Sequence, residues 1–190
     1  MLLVCICMAS DVFSQNNAGK PYELPFDTGR MLQDPCGPVC CYVALKCVRH
    51  LDGKTFWDIA DDLGWDNGQR VSFTKIADYL NSRRGVVAKL VRTTPVDLRR
   101  ILVSGDSVAI IAVRRESNQV NHAVCLIGSN DIGFAAVEYP ALNYALPDDV
   151  LSKFWDGEAI VVTRRSGFSV GYVIAALVVS VIFYWFRRSR

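Results

Sequence analysis

Cys36 has the surroundings that best suit nucleophilic chemistry in this sequence. It stands in the run Gln33-Asp34-Pro35-Cys36-Gly37-Pro38, directly before an apolar segment of helical periodicity. The dipole and free N–H groups at a helix N-terminus stabilise a thiolate, which makes a cysteine placed there a stronger nucleophile. Pro38 fits the first helical turn, because its missing N–H needs no partner there. We therefore predict a reactive thiol at the start of a helix.

A histidine and an acid supply the other groups that thiol chemistry needs. His122 heads an apolar segment that predicts a strand, so its ring can be held rigidly at the edge of a sheet. An imidazole there can form an ion pair with the thiolate and later protonate a leaving amine. Glu138 ends the next predicted strand, where a hairpin could set its carboxylate beside the ring. The plainer interpretations are a core histidine and a solvated charge at a strand end.

Helices come first along the chain and strands dominate later. Apolar spacing, capping residues and turn residues predict helices at 36–51, 55–64, 72–84, 94–102 and 147–154. They predict strands at 86–91, 108–113, 123–127, 134–138 and 159–162. This order indicates an α+β domain with a mostly antiparallel sheet, over residues 15–165.

A segment after this domain has the length and composition of a membrane span. Residues 167–186 are twenty residues without a charge, followed by the basic tail 187–190. A helix of that length rises about 30 Å, which is the thickness of the hydrocarbon core of a bilayer. Tyr172, Tyr184 and Trp185 are placed like interfacial aromatic residues. We predict a single transmembrane helix, against the alternative of a buried core helix.

The first fourteen residues resemble a secretory signal without its basic start. An apolar run opens the chain, with small residues at Val12 and Ser14 before a cleavage point. If residues 1–14 are a signal peptide, the domain lies on the extracytoplasmic side, which is the orientation that we predict. If they are not, the chain is tail-anchored with a cytoplasmic domain.

Composition limits the other classes of function. The formal charge of +2 does not indicate a nucleic-acid surface, and the sequence has no phosphate-binding glycine loop. We expect no cofactor and no metal, because the chain has only two histidines and no CxxC pair. Cys36 has a plainer alternative, which is a disulfide. Its candidate partners are Cys40, Cys41, Cys47 and Cys125.

Residues 30–162 resemble the bacteriocin-processing peptidases of cysteine peptidase family 39, papain-like domains that trim double-glycine leader peptides. The run Asp-x-Cys-Gly-Pro-x-Cys at 34–40 is similar to the nucleophile motif of that family, which reads Asp-Cys-Gly. The run His-x-Val-x-x-x-Gly at 122–128 is similar to its histidine strand. Its acid before proline, usually Asp, corresponds to Glu138 with one residue inserted before Pro140.

The resemblance implies a papain-like fold and a role for each of these residues. Cys36 would be the nucleophile, His122 the general acid and base, and Glu138 the orienting carboxylate. The oxyanion-hole glutamine of the family falls at position 30, where this chain has Arg30, and Gln33 is the nearest glutamine. Family members are often fused to an ABC transporter, so a stand-alone version would act on a peptide or protein substrate, with any transporter partner in trans.

Two rival functions and a second candidate nucleophile remain open at this stage. A degenerate papain-like module would bind a peptide without cutting it, and the Arg30 departure favours this alternative. A membrane-anchored structural adaptor would instead hold its cysteines in disulfides. Cys40, one turn into the first helix, is the alternative nucleophile.

Overall fold

The computed structural model describes residues 35–65, 70–114, 121–139 and 144–165, which form five helices and a six-stranded sheet. The helices are α1 (Cys36–Cys47), α2 (Phe56–Asp62), α3 (Phe73–Asn81), α4 (Pro95–Leu102) and α5 (Asp148–Phe154). The strands are β1 (Val86–Arg92), β2 (Ser107–Arg114), β3 (Asn121–Ser129), β4 (Gly133–Val137), β5 (Tyr144–Pro147) and β6 (Trp155–Arg164). The α+β class that the sequence predicts is confirmed.

Side-chain caps fix where three of the helices begin. Thr55 and Asp58 form a reciprocal capping box at α2, and the hydroxyl of Ser72 accepts the Lys75 N–H at α3. Thr94 caps α4 through the Asp97 N–H, with Pro95 in the first turn. Each cap satisfies a backbone donor that has no partner inside its helix. The starts of these helices could therefore be predicted from the sequence.

The strands form one antiparallel sheet in the order β1-β6-β2-β3-β4-β5. Helix α1 packs against β2 and β3, and α3 packs against β1. This first face buries one core cluster, which includes Val43, Cys125 and Ile160. Helices α4 and α5 cover part of the second face, where Leu98 and Leu151 enter a separate cluster.

Two elements differ from the sequence prediction. Helix α1 ends at Cys47 rather than near Leu51, because Arg49 adopts a left-handed conformation with φ of 59°. The His50 N–H then reaches back to the Leu45 carbonyl at 2.9 Å, which is the bond that closes a Schellman motif. Strand β5 was not predicted, since its four residues are too few to show a period.

Several sequence predictions fall outside the described residues. These are the signal segment 1–14, the span 167–186 and the candidate oxyanion residue Gln33. No helix among the described residues is both long and apolar enough to cross a membrane.

Gly133 allows β4 and β5 to approach each other closely. A Cβ at this position would clash with the Leu146 carbonyl group, whose carbon would lie 2.9 Å away, and with the Pro147 Cα at 2.9 Å. Both obstacles are backbone, so neither can rotate aside. Gly128 on β3 offers a contrast, because a Cβ there would meet nothing within 4 Å.

We expect Gly133→Ala to lower the free energy of unfolding by about 1–3 kcal/mol, since β5 must shift to make room for the methyl group. Gly128→Ala is the matched control and should leave stability nearly unchanged. Urea denaturation of both variants measures the difference. Equal effects of the two substitutions would contradict the steric explanation.

Candidate active site

Cys36 is the first residue of α1 and is partly exposed. Its neighbour Pro35 occupies the N-cap position without a side-chain hydrogen bond, and the first turn carries no acidic residue. The positive end of the helix dipole is therefore not neutralised by any capping group of the described residues. A partly exposed cysteine at an open helix N-terminus is a common position for a nucleophilic thiol.

Gly37 allows the start of α1 to pack closely against the segment that leads into α3. A Cβ on Gly37 would lie 3.2 Å from the Cβ of Val71 and 3.5 Å from Ile76. A larger residue would push these elements apart and move the thiol. The sequence showed the Cys-Gly-Pro run, but it gave no signal that Val71 would be the residue that the glycine faces.

His122 is the second residue of β3 and is only 4% exposed. It pairs with Val113 of β2, so the sheet holds the backbone of His122 on the β2 side. Next to it, Ala123 enters the first core cluster, on the face that α1 covers. His122 follows the alternation of Val124 and Leu126, which enter the second cluster.

Glu138 lies beside this histidine. It directly follows β4, whose register pairs Val137 with Cys125 and so places Glu138 diagonally from His122. The distance from His122 Nε2 to Glu138 Oε2 is 3.7 Å, and the Glu138 side chain is 15% exposed. This is longer than a good hydrogen bond but short enough for an ion pair with a protonated ring. A carboxylate in this position can orient the ring.

The structure relates Cys36 to this pair through shared packing. Cys36 packs against the first core cluster, and so does Tyr139, the residue after Glu138. The same cluster contains Ala123 and Val137, which adjoin His122 and Glu138 in sequence. Helix α1 and the β3–β4 hairpin thus carry the three candidate groups on elements that contact one another.

The other described cysteines are poor nucleophiles. Cys40, Cys41 and Cys125 have no exposed surface, and burial raises the pKa of both Cys41 and Cys125. Burial also raises the pKa of Cys47 to about 11, although the neighbouring Lys46 opposes this shift. The burial of Cys40 argues against it as the alternative nucleophile, because no substrate carbonyl could reach its sulfur.

No disulfide joins any two of the five described cysteines, which are Cys36, Cys40, Cys41, Cys47 and Cys125. A structural adaptor held together by disulfides is not favoured by this arrangement. No group of three or more His, Cys, Asp or Glu side chains within the described ranges is arranged to hold a metal ion.

Solved structures with the same fold are peptidase domains. The chain resembles a double glycine motif protease from an AMS/PCAT transporter, solved with the leader peptide, at 15% identity and a TM-score of 0.56. That match covers 76% of this chain and 94% of the other. The peptidase domain of Streptococcus ComA, a bifunctional ABC transporter of a quorum sensing pathway, matches at 14% identity and 0.53, over 75% and 98%.

A third structure gives the same result. It is the N-terminal peptidase C39 like domain of a toxin secretion ATP-binding protein from Vibrio parahaemolyticus, at 14% identity and a TM-score of 0.50, covering 70% and 98%. No protein-family model matches the chain, and no curated protein matches it in sequence. The fold is that of the C39 double-glycine peptidase domains, as the sequence resemblance implied.

Thiol burial predicts which cysteine reacts first. In the folded chain at pH 8, iodoacetamide should modify Cys36 well before Cys41, Cys47 and Cys125, since only thiolates react and burial keeps those three protonated. For Cys47, a pKa of about 11 instead of 9.0 means about 100-fold less thiolate. Peptide mapping by mass spectrometry at increasing times measures the order. In urea all of these cysteines should react at similar rates.

Proposed function

We propose that this protein is a membrane-anchored thiol endopeptidase in which Cys36 attacks the peptide bond. The observation that carries the proposal is the buried His122–Glu138 pair, 3.7 Å apart, on a hairpin that contacts the same core as Cys36. A buried histidine beside a carboxylate is an arrangement that is frequent at catalytic sites.

The reaction would proceed in two steps, and His122 would transfer a proton in each of them. The Cys36 thiolate attacks the carbonyl carbon, and the carbonyl electrons move to oxygen to give a tetrahedral oxyanion. The His122 imidazolium then gives its proton to the departing amine as the C–N bond breaks, which leaves a thioester. Water attacks the thioester carbonyl carbon, and the neutral ring of His122 takes the water proton. The C–S bond then breaks, which releases the acid product and regenerates the Cys36 thiolate beside the imidazolium.

The contact between Glu138 and Nε2 supports one assignment of roles to the two ring nitrogens. If Glu138 holds Nε2, then Nδ1 is the nitrogen that meets the thiol. Because His122 follows the alternation of Val124 rather than Ala123, the ring has to reach the thiol around the end of β3.

An ion-pair test separates the peptidase from a degenerate binding module. Alkylation of Cys36 should be fast near neutral pH in the wild-type chain, and His122→Ala should slow it at least tenfold, since the imidazolium stabilises the thiolate. His50→Ala is the matched control, because His50 is the only other histidine. The measurement is the alkylation rate of Cys36 against pH, by mass spectrometry.

Two results would count against the catalytic pair. Equal rates in His122→Ala and the wild type would mean that the ring does not act on the thiol. Slow labelling in all variants would leave the degenerate peptide-binding module as the better proposal.

The oxyanion would be stabilised by the Cys36 backbone N–H and by the side-chain amide of Gln33. Arg30 stands where the resembling family has its glutamine, so Gln33 must reach the same oxygen from a nearer position in the chain. Gln33→Ala should lower kcat by about 10²–10³ with little change in KM, because the donor acts in the transition state. An unchanged kcat would remove Gln33 from the mechanism.

The substrates that we propose are peptides with a double-glycine cleavage site. The structure solved from the AMS/PCAT transporter is a double glycine motif protease with a leader peptide bound, and it shares this fold. Synthetic peptides with Gly-Gly and Ala-Ala at the same site would test the preference, with Cys36→Ser as the inactive control and Cys47→Ser as the matched active one. Products that appear equally from both peptides would reject the double-glycine substrate while keeping the peptidase.

We further propose that residues 167–186 anchor the domain on the extracytoplasmic side of a membrane. The uncharged run of twenty residues and its closing arginines support the anchor. A transporter that exports the peptide would then be a partner in trans.

A further inference from the structure

The chain leaves the domain at one end of the strands, where several turns between strands also lie. Strand β6 ends at Arg164, and the same edge carries the turns before β1 and β2 and the β3–β4 hairpin. The Arg165 N–H donates to the Gly85 carbonyl at 2.7 Å, which fixes the chain here. We call this the exit edge, formed by residues 82–85, 103–106, 129–132 and 164–165.

The exit edge must lie close to the start of the predicted span. Only Ser166 separates Arg165 from Gly167, where the uncharged run begins. Two residues extend at most about 7 Å, so the loops of this edge cannot stand far from the bilayer if that run crosses it.

The exit edge also carries the two most exposed large hydrophobic residues of the described chain. Ile132, in the β3–β4 hairpin, is 75% exposed, and Val103, after α4, is 68% exposed. Isolated apolar side chains on a surface are ordinary, but these two occupy loop tips on one edge. Val103 precedes β2 and Ile132 precedes β4, so both tips lie at the same end of closely spaced strands.

Cations accompany these apolar tips. Arg84, Arg164 and Arg165 are exposed on the exit edge, against the exposed carboxylates Asp106 and Asp131. Beside the edge, a groove of about 450 Å³ on the face of the paired strands β1 and β6 is lined by Val87, Lys89 and Val161, together with Ile101 of α4. Basic side chains with short apolar anchors match the headgroup layer of a membrane that contains anionic lipid.

We propose that the exit edge is a membrane-docking surface, with Val103 and Ile132 inserted among the headgroups of an anionic bilayer. His122 begins β3 at the opposite edge, where Val113 pairs with it, six residues from Ser107 at the exit edge. Six residues of strand span about 20 Å, so docking holds the candidate site that far from the exit edge. The inference depends on the predicted span and not on peptidase activity.

Tryptophan placement tests this docking in the full-length chain. Val103→Trp, Ile132→Trp and Val96→Trp would each be reconstituted in vesicles of phosphatidylcholine and phosphatidylglycerol with brominated acyl chains. Val96 is the matched control, because it is 60% exposed and lies at the start of α4, beside the opposite edge. Each variant keeps the four native tryptophans, so differences in quenching come from the new one.

We expect at least twofold more quenching for the tryptophans at 103 and 132 than for the one at 96. We also expect this excess to fall when phosphatidylglycerol is replaced by phosphatidylcholine. Equal quenching at all three positions, greater quenching at 96, or failure of the chain to enter vesicles would overturn the proposal. The alkylation rate of Cys36, measured in the same vesicles, reports on the candidate site independently of quenching. Loss of docking and loss of thiol reactivity can therefore be distinguished.

Discussion

The contact of α1 with β3 is the constraint on which the candidate site depends. Every residue of α1 from Gly37 to Leu45 is buried, so the helix is enclosed by α2, α3 and the sheet together. A helix enclosed in this way cannot shift or rotate without opening the first core cluster. The thiol at its N-terminus therefore has a fixed position relative to the strand that carries the imidazole, and no flexible loop has to hold either group.

The same enclosure explains which parts of the fold could be predicted from the sequence. Helices α2, α3 and α4 sit at the surface, and their caps at Thr55, Ser72 and Thr94 mark where they begin. Helix α1 is apolar on all sides, so no polar face marks its length, and its end depends on the left-handed Arg49. Glycine usually occupies such a left-handed position, so an arginine there does not signal that the helix ends.

The candidate site, too, could be predicted only in part from the sequence. The types of Cys36, His122 and Glu138 and their places in the chain were enough to propose a thiol site, because each ends or begins a predicted element. The 3.7 Å contact depends on the register of β3 with β4, which includes a shift between Leu126 and Gly128. Such a shift is set by packing across the pair of strands, and nothing local in the sequence specifies it.

The division of the core by the sheet has a consequence for how this protein can vary. Leu98 and Leu151 lie on the second face, on the opposite side of the sheet from α1 and Cys36. Stability changes at sites that share no partners are nearly additive. The part of the second face around Leu98 and Leu151 can therefore accumulate repacked or exchanged side chains while α1 and its thiol stay in place. Divergence would concentrate there, which offers one route to peptidase folds that share architecture with little remaining sequence identity.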